Sequence, residues 1–312
     1  MHLLRVCVNA RKGEQILVVT DTATDPKIAN TILTAASKLG IEASTITMNP
    51  RSLPGLEPPP PVVAAMLAAD VVIAPTSRTL YHTNARTAAC ARGVRFISMA
   101  GATMSVLGSR AMLADFPRQK KALDKLVRRL TLAKYVRVKN RLGTDLEFHI
   151  QGRRGFGVSG MATRRGEVTG SPDIEAYVAP VEEHTNGTLI VDGSTSVTGV
   201  VKKPIRIIIR RGIAETISGG PDARRLSQTL RDAKNSNSLR VCEFGIGLNP
   251  LARIRGSIIE DEGKLGTAHV ALGDNTRLGG RNKAPTHIDL VLKTPHVMLD
   301  GTTVLNKGRL IL

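Results

Sequence analysis

The chain has 312 residues, enough for two packed domains or one large one. Hydrophobic residues make up 42%, the composition of a folded globular protein, but aromatics reach only 3% and Trp is absent, so the core must rest on Val, Ile, Leu, Ala and Met. Forty-four Lys and Arg against 26 Asp and Glu give a net charge of +18, which admits nucleic acid, an anionic membrane surface or an acidic small substrate as partner.

The basic residues are scattered in short groups, such as Arg118–Lys120–Lys121, Arg128–Arg129 and Arg224–Arg225, with no basic tail. Single-strand binding needs aromatic stacking platforms, and these are few, so a non-catalytic nucleic-acid-binding protein stands only as an alternative. Cys7, Cys90 and Cys242 are far apart and form no CxxC, which argues against a disulfide framework or a cysteine zinc site and fits a reducing cytoplasm. The N-terminus MHLLRVCVNARKGEQ lacks the apolar run of a signal peptide, and no stretch of about 18 apolar residues spans a bilayer. A cytoplasmic protein without membrane attachment is expected.

Strand and helix signals alternate through the first third. Gln15 to Thr20 (QILVVT) reads as a buried strand, and Asp25-Pro26 opens a helix that Gly40 stops. Ala43 to Met48 reads as a second strand. Pro58 to Pro61 reads as a rigid connector, followed by a helix over VVAAMLAA and a strand over Asp70 to Ala74. His82 to Arg92 reads as a helix and Val94 to Met99 as a strand. This alternation predicts a doubly wound, Rossmann-like parallel sheet over residues 1–134. No GxGxxG or GxxxxGK[ST] loop accompanies it, so no dinucleotide site is expected. Pro117 to Ala133 reads as a basic amphipathic helix that packs its leucines and solvates its charges. From Tyr135 the texture changes to strands and glycine turns (YVRVKN, DLEFHI, GTLIVDGS, IRIII), which predicts a β-rich α+β domain over 135–312 that holds a metal.

Three segments of that second domain collect metal-capable side chains. They are GSPDIEAYVAP with Glu175, CEFGIGLNP with Glu243, and the stretch Gly266 to Asp289 with His269, His287 and Asp289. His287 and Asp289 form an H-x-D pair in a strand-like run, where residues i and i+2 share a face. Gly245 and Gly247 beside Glu243 permit a tight backbone next to a site. Carboxylates with two imidazoles suit zinc, manganese, cobalt or iron(II).

From Gly143 to the end, the chain resembles the aminopeptidase T family of metallopeptidases. The matching pieces run in order: LGTDLEFHIQGR, SPDIEAYVAPVEEHTNGTLIVDG, EFGIGLNPLARI, EDEGKLGTAHVALGDN, LGGRNKAPTHIDLVL and MLDGTTVLNKGRL. The resemblance implies a pair of divalent ions, zinc, manganese or cobalt, held by Glu175, Glu243, His269, His287 and Asp289. It also implies a homodimer. It departs at the catalytic Tyr that follows the first histidine, because ALGDNTRLGG contains none. Tyr177, two residues after Glu175, is the nearest candidate for a substrate-facing Tyr. The same fold family also resembles 2,5-dihydroxypyridine 5,6-dioxygenase, which uses a single iron(II) and has a histidine where Glu243 stands here.

The leading expectation is a metal-activated water that hydrolyses an amide or peptide-like C–N bond, with Glu175 or Glu243 as general base and Asp289 shared between the ions. Arg281 and Lys283, just before His287, would hold a carboxylate of a small-molecule or short-peptide substrate. The alternative is iron(II)-dependent ring cleavage of a hydroxylated pyridine or similar aromatic.

Overall fold

The computed structural model describes all 312 residues, Met1–Leu312. They divide into two compact units, Met1–Phe116 with Val158–Ile174 and Pro117–Gly157 with Glu175–Leu312. The division is therefore not one cut after residue 134. The basic helix opens the second unit, and a short segment of the β-rich region belongs to the first.

The first unit runs β1 (Gln15–Asp21), α1 (Pro26–Ser37), β2 (Glu42–Met48), α2 (Pro60–Ala68), β3 (Val71–Ala74), α3 (Asn84–Ala91), β4 (Arg95–Ser98) and α4 (Met104–Leu107). Asp25 caps α1 by accepting the Lys27 amide at 2.9 Å. The proline run is not wholly a connector. Pro60 and Pro61 form the first turn of α2, where a proline's missing N–H is no loss. β3 and β4 are buried along their whole length, as apolar central strands of a parallel sheet should be. Leu17, Val19, Met66, Val72 and Phe96 fill the core.

The second unit begins with α5 (Phe116–Leu132), whose Leu123, Leu126 and Leu130 are buried. β5 (Tyr135–Lys139), β6 (Asp145–His149) and β7 (Phe156–Val158) follow. The chain then returns to the first unit for β8 (Val168–Gly170), which completes a parallel sheet in the order β2-β1-β3-β4-β8. Pairing of β4 with β8 joins residues about 70 positions apart, a non-local contact that no local pattern encodes.

The rest of the second unit holds β9 (Glu175–Val178), β10 (Thr185–Val191), β11 (Ser194–Thr195), β12 (Gly199–Val200), β13 (Ile205–Arg210), β14 (Ile213–Ser218), α6 (Pro221–Asp232), β15 (Val241–Gly247), α7 (Ile258–Asp261), β16 (Ala268–Gly273), β17 (His287–Leu292), β18 (His296–Leu299), β19 (Thr302–Asn306) and β20 (Arg309–Leu310). They form an eight-stranded sheet, β14-β13-β10-β6-β5-β18-β19-β20, and a seven-stranded sheet, β12-β11-β17-β16-β15-β9-β7. Phe148 of β6 and Phe244 of β15 join the two sheets, their rings 5.0 Å apart and fully buried. Because strand side chains alternate, Phe244 and Ile246 face this core while Glu243, Gly245 and Gly247 face the other way.

Candidate metal centre

The far face of the seven-stranded sheet carries every expected ligand. Gly245 stands opposite Tyr177 on β9 and opposite His269 on β16. Gly247 stands opposite Glu175, Ala271 opposite both Glu243 and Asp289, and Gly273 opposite His287. Residues paired across a ladder share a face, so Glu175, Tyr177, Glu243, His269, His287 and Asp289 all project from one surface. Each functional side chain has Gly or Ala as a cross-strand neighbour. That alternation of large polar and small residues gives the charged groups room to converge. A register shift between Val241 and Glu243 marks a bulge at the start of β15, beside the site.

The five proposed ligands form a continuous chain. His269 Nε2 lies 3.4 Å from Glu175 Oε2 and 3.2 Å from Glu243 Oε1. Glu243 Oε2 lies 3.2 Å from His287 Nε2, which lies 3.4 Å from Asp289 Oδ1. Glu243 thus lies between the two imidazoles, with Asp289 at the His287 end of the chain. The second oxygen of Asp289 instead accepts from Ser196 Oγ at 3.3 Å, and the Asp289 amide donates to the same hydroxyl at 2.7 Å.

The two imidazoles are held differently. His287 Nδ1 donates to the carbonyl of Asp274 at 2.9 Å, which turns Nε2 toward Glu243 and Asp289. Cys242 Sγ sits 3.6 Å from the same Nδ1. His269 Nδ1 is buried with no hydrogen-bond partner, so packing and the contacts of Nε2 with Glu175 and Glu243 orient that ring. The ring lies over Gly245, where an added Cβ would overlap its Cε1 and Nε2.

Electrostatics show what the cluster lacks by itself. Burial disfavours ionised Glu243, but hydrogen bonds from His269 and His287 outweigh it and hold the carboxyl down at about 2. Burial likewise disfavours protonated His269, yet Glu175 and Glu243 pull its pKa up to about 9. His287 is raised well above its ordinary value, against burial, by Cys242 and Asp289. Burial lifts the Cys242 thiol itself to about 11, so near neutrality that group is uncharged and Asp289 carries the attraction. The site draws positive charge onto both Nε2 atoms. One ligand atom each from Glu175, Glu243 and His269 lies within 4.8 Å of the others, all three residues buried. Donor types, convergence and demand for positive charge fit a divalent cation.

A family model described as NicX, 2,5-dihydroxypyridine 5,6-dioxygenase, matches residues 2–312. The chain belongs to this family. A curated relative of that name from Pseudomonas putida KT2440 is 23% identical over 259 residues, covering 79% of this chain and 72% of the relative. The solved 2,5-dihydroxypyridine dioxygenase of that organism superposes with a TM-score of 0.82 at 19% identity, over 99% of this chain and 95% of that one. AmpT from Thermus thermophilus superposes with a TM-score of 0.68 at 16% identity, over 100% and 98% of the chains. At such identities the structural likenesses establish the fold, which both relatives share.

The remaining expected site residues fare unevenly. Tyr177 is half-buried on the cluster's face, its ring stacked on Phe156 at 5.6 Å. Arg281 and Lys283 are exposed, and their hydrogen bonds run through the backbone: the Arg281 amide donates to Glu182 at 2.7 Å, and the Lys283 carbonyl accepts from Asn237 at 3.0 Å. Sequence reasoning missed Ser196 and Asp274. A serine in a turn carries no signal of its partner, and Asp274 acts through a carbonyl that any residue would supply. It also missed Glu182, which accepts from Asn275 at 3.0 Å and pairs with Arg153, tying down the loop between the strands of His269 and His287. No helix is long and apolar enough to cross a membrane.

Proposed function

We propose that this chain is an iron(II)-dependent dioxygenase that opens the ring of a hydroxylated pyridine or similar aromatic. The observation that carries the reading is the family match across residues 2–312. His269, His287 and Asp289 would hold the metal, with Glu243 and Glu175 beside it. Two imidazoles and one carboxylate are a donor set that suits iron(II), and iron(II) held there would supply the one-electron chemistry that dioxygen requires.

The protein's own groups prepare the site. The Asp274 carbonyl fixes the tautomer of His287, and Ser196 orients Asp289. Glu243 stays ionised between the two imidazoles. Glu175, at the end of the chain of ligands, is our choice to take up the substrate's hydroxyl proton.

One observation favours a second reading, metal-dependent hydrolysis of an amide-like bond with two zinc, manganese or cobalt ions. Glu243 places one oxygen toward each imidazole, the position of a carboxylate shared between two ions. Anaerobic reconstitution followed by elemental analysis and an oxygen electrode separates the two. One iron per chain and oxygen uptake with 2,5-dihydroxypyridine support the dioxygenase. Two ions per chain, with amide hydrolysis under argon, would replace it by the hydrolase. The family resemblance also leads us to expect a homodimer, which light scattering would test.

A further inference from the structure

Aromatic side chains are scarce in this protein: five Phe, three Tyr and no Trp. Phe96, Phe116, Phe148 and Phe244 are fully buried, as core residues should be. Phe156 is the exception. It is half-buried and stacks on half-buried Tyr177, ring centroids 5.6 Å apart and planes 19° from parallel. The guanidinium of exposed Arg154 lies 5.5 Å from the centre of the Phe156 ring.

The aim of these rings follows from the backbone. Phe156 stands between Gly155 and Gly157. A Cβ at Gly155 would lie 2.7 Å from the Val127 carbonyl, and one at Gly157 would lie 2.9 Å from Leu123. The two glycines let β7 lie flat on α5, and the alternation of a strand then turns Phe156 to the opposite side, onto Tyr177. Tyr177 shares its face with Glu175 two residues earlier and pairs with Gly245, whose other neighbour is His269. Along one line across the sheet stand His269, Gly245 and Tyr177, with Phe156 stacked beyond. The side of the metal-ligand cluster toward β7 is therefore a column of Tyr177, Phe156 and Arg154.

Building on the proposed function above, we infer that this column recognises the substrate, which is a planar aromatic ring bearing an anionic substituent. Tyr177 and Phe156 meet the ring, and Arg154 takes the negative charge. Such a column selects by flatness and by charge together.

The test is calorimetric binding to the metal-loaded protein under argon, with three probes. They are 4-hydroxybenzoate (flat and anionic), phenol (flat and uncharged) and cyclohexanecarboxylate (anionic and not flat). The hydroxybenzoate should bind tightest. Tyr177→Leu and Phe156→Leu should each weaken both flat probes about 5–10-fold, the loss of one aromatic contact. Tyr177→Phe should retain binding. Arg154→Gln should weaken the hydroxybenzoate about as much and leave phenol unchanged. Wild-type binding by both leucine variants, equal affinity for cyclohexanecarboxylate, or no binding of flat rings to the native protein would each overturn the inference. Oxygen uptake is read separately. Flat anions bound without any oxygen uptake would leave the column standing and remove the dioxygenase. Oxygen uptake indifferent to Tyr177→Leu on every ring would do the reverse.

Discussion

Gly245 is the position where one added methyl group tests the whole site. Its backbone φ lies outside the left-handed region, so alanine meets no torsional penalty there, and the effect must come from space. The added Cβ would overlap the His269 ring, and β15 cannot step aside because β9 and β16 hold it from both sides. Overpacking of this kind costs about 2–3 kcal/mol, and a Gly-to-Ala change recovers about 0.5–1 kcal/mol by restricting the unfolded chain. A net destabilisation of about 2 kcal/mol follows for Gly245→Ala. His269 Nδ1 has no hydrogen bond to restore the ring's position, so Nε2 should leave its place between Glu175 and Glu243. Loss of a group that orients a metal ligand typically lowers affinity about 10–100-fold. Urea unfolding of the metal-free protein and calorimetric titration with cobalt(II) measure the two effects. Native stability with native cobalt affinity would show that His269 does not depend on the cross-strand glycine, and the account of the site's construction would fail.

Three further outcomes follow from the geometry. Glu182→Ala should cost about 3 kcal/mol in urea unfolding, because it strands Arg153 in a largely buried pair and frees the Asn275 amide and the Arg281 N–H; a loss under about 0.5 kcal/mol would deny the loop its anchor. Ser196→Ala should lower metal affinity about 10-fold, since Ser196 touches the second oxygen of Asp289, yet change stability by no more than about 0.5 kcal/mol because Ser196 is exposed; equal cobalt isotherms would sink this role. In the metal-free protein, Glu243 is held at about 2, below its usual 4.5, so its contribution is present above about pH 4.5 and lost as pH falls toward 2. His269 is raised from 6.5 to about 9, so its contribution is present below about pH 6.5 and lost as pH rises through 9. Stability without metal should therefore be flat between about pH 4.5 and 6.5 and decline on both sides, and a maximum above pH 9 in urea unfolding would contradict the His269 environment.

The parts of this molecule that were legible from sequence are those written in local periodicity. The short runs ending at Thr20, Ala74 and Met99 are apolar and read as buried strands, as they are, while the run ending at Met48 is the half-exposed edge strand β2. The alternation in THIDLVL put His287 and Asp289 on one side. The ordered motifs marked Glu175, Glu243 and His269 as ligands, and the structure brings all five together. What remained hidden depends on register between distant segments. Gly245 reads as a turn-permitting residue until β9 and β16 are laid beside it, and only then does it become the space that His269 fills. Phe156 carries no signal of its own in the sequence, and its place beside Tyr177 follows only once Gly155 and Gly157 are seen to press β7 on α5. That Glu243 lies between both imidazoles depends on which oxygen meets which ring, a matter of ångströms that spacing cannot carry.

Charge balance at the cluster limits how it can be loaded. Glu175, Glu243 and Asp289 supply three negative charges. Near neutrality without metal, His269 and His287 are both protonated, so the cluster carries a net charge of −1. One divalent cation bound to neutral imidazoles leaves the same −1, so a single ion substitutes for two protons without altering the net charge of the site. Two divalent ions would leave +1, and the second would need a further anion for balance. Proton release on metal loading thus reports both the ligand set and its capacity. At pH 7 in weak buffer, the first equivalent of metal should release close to two protons, and the apparent affinity should climb as pH rises toward 9. Release of two protons with no further binding points to a one-metal site in which both imidazoles ligate. A second equivalent that binds and releases another proton, drawn from a bound water, points to the two-metal arrangement with Glu243 between. First-equivalent binding without proton release would mean that neither imidazole is a ligand and would overturn the proposed ligand set, in which both Nε2 atoms face Glu243.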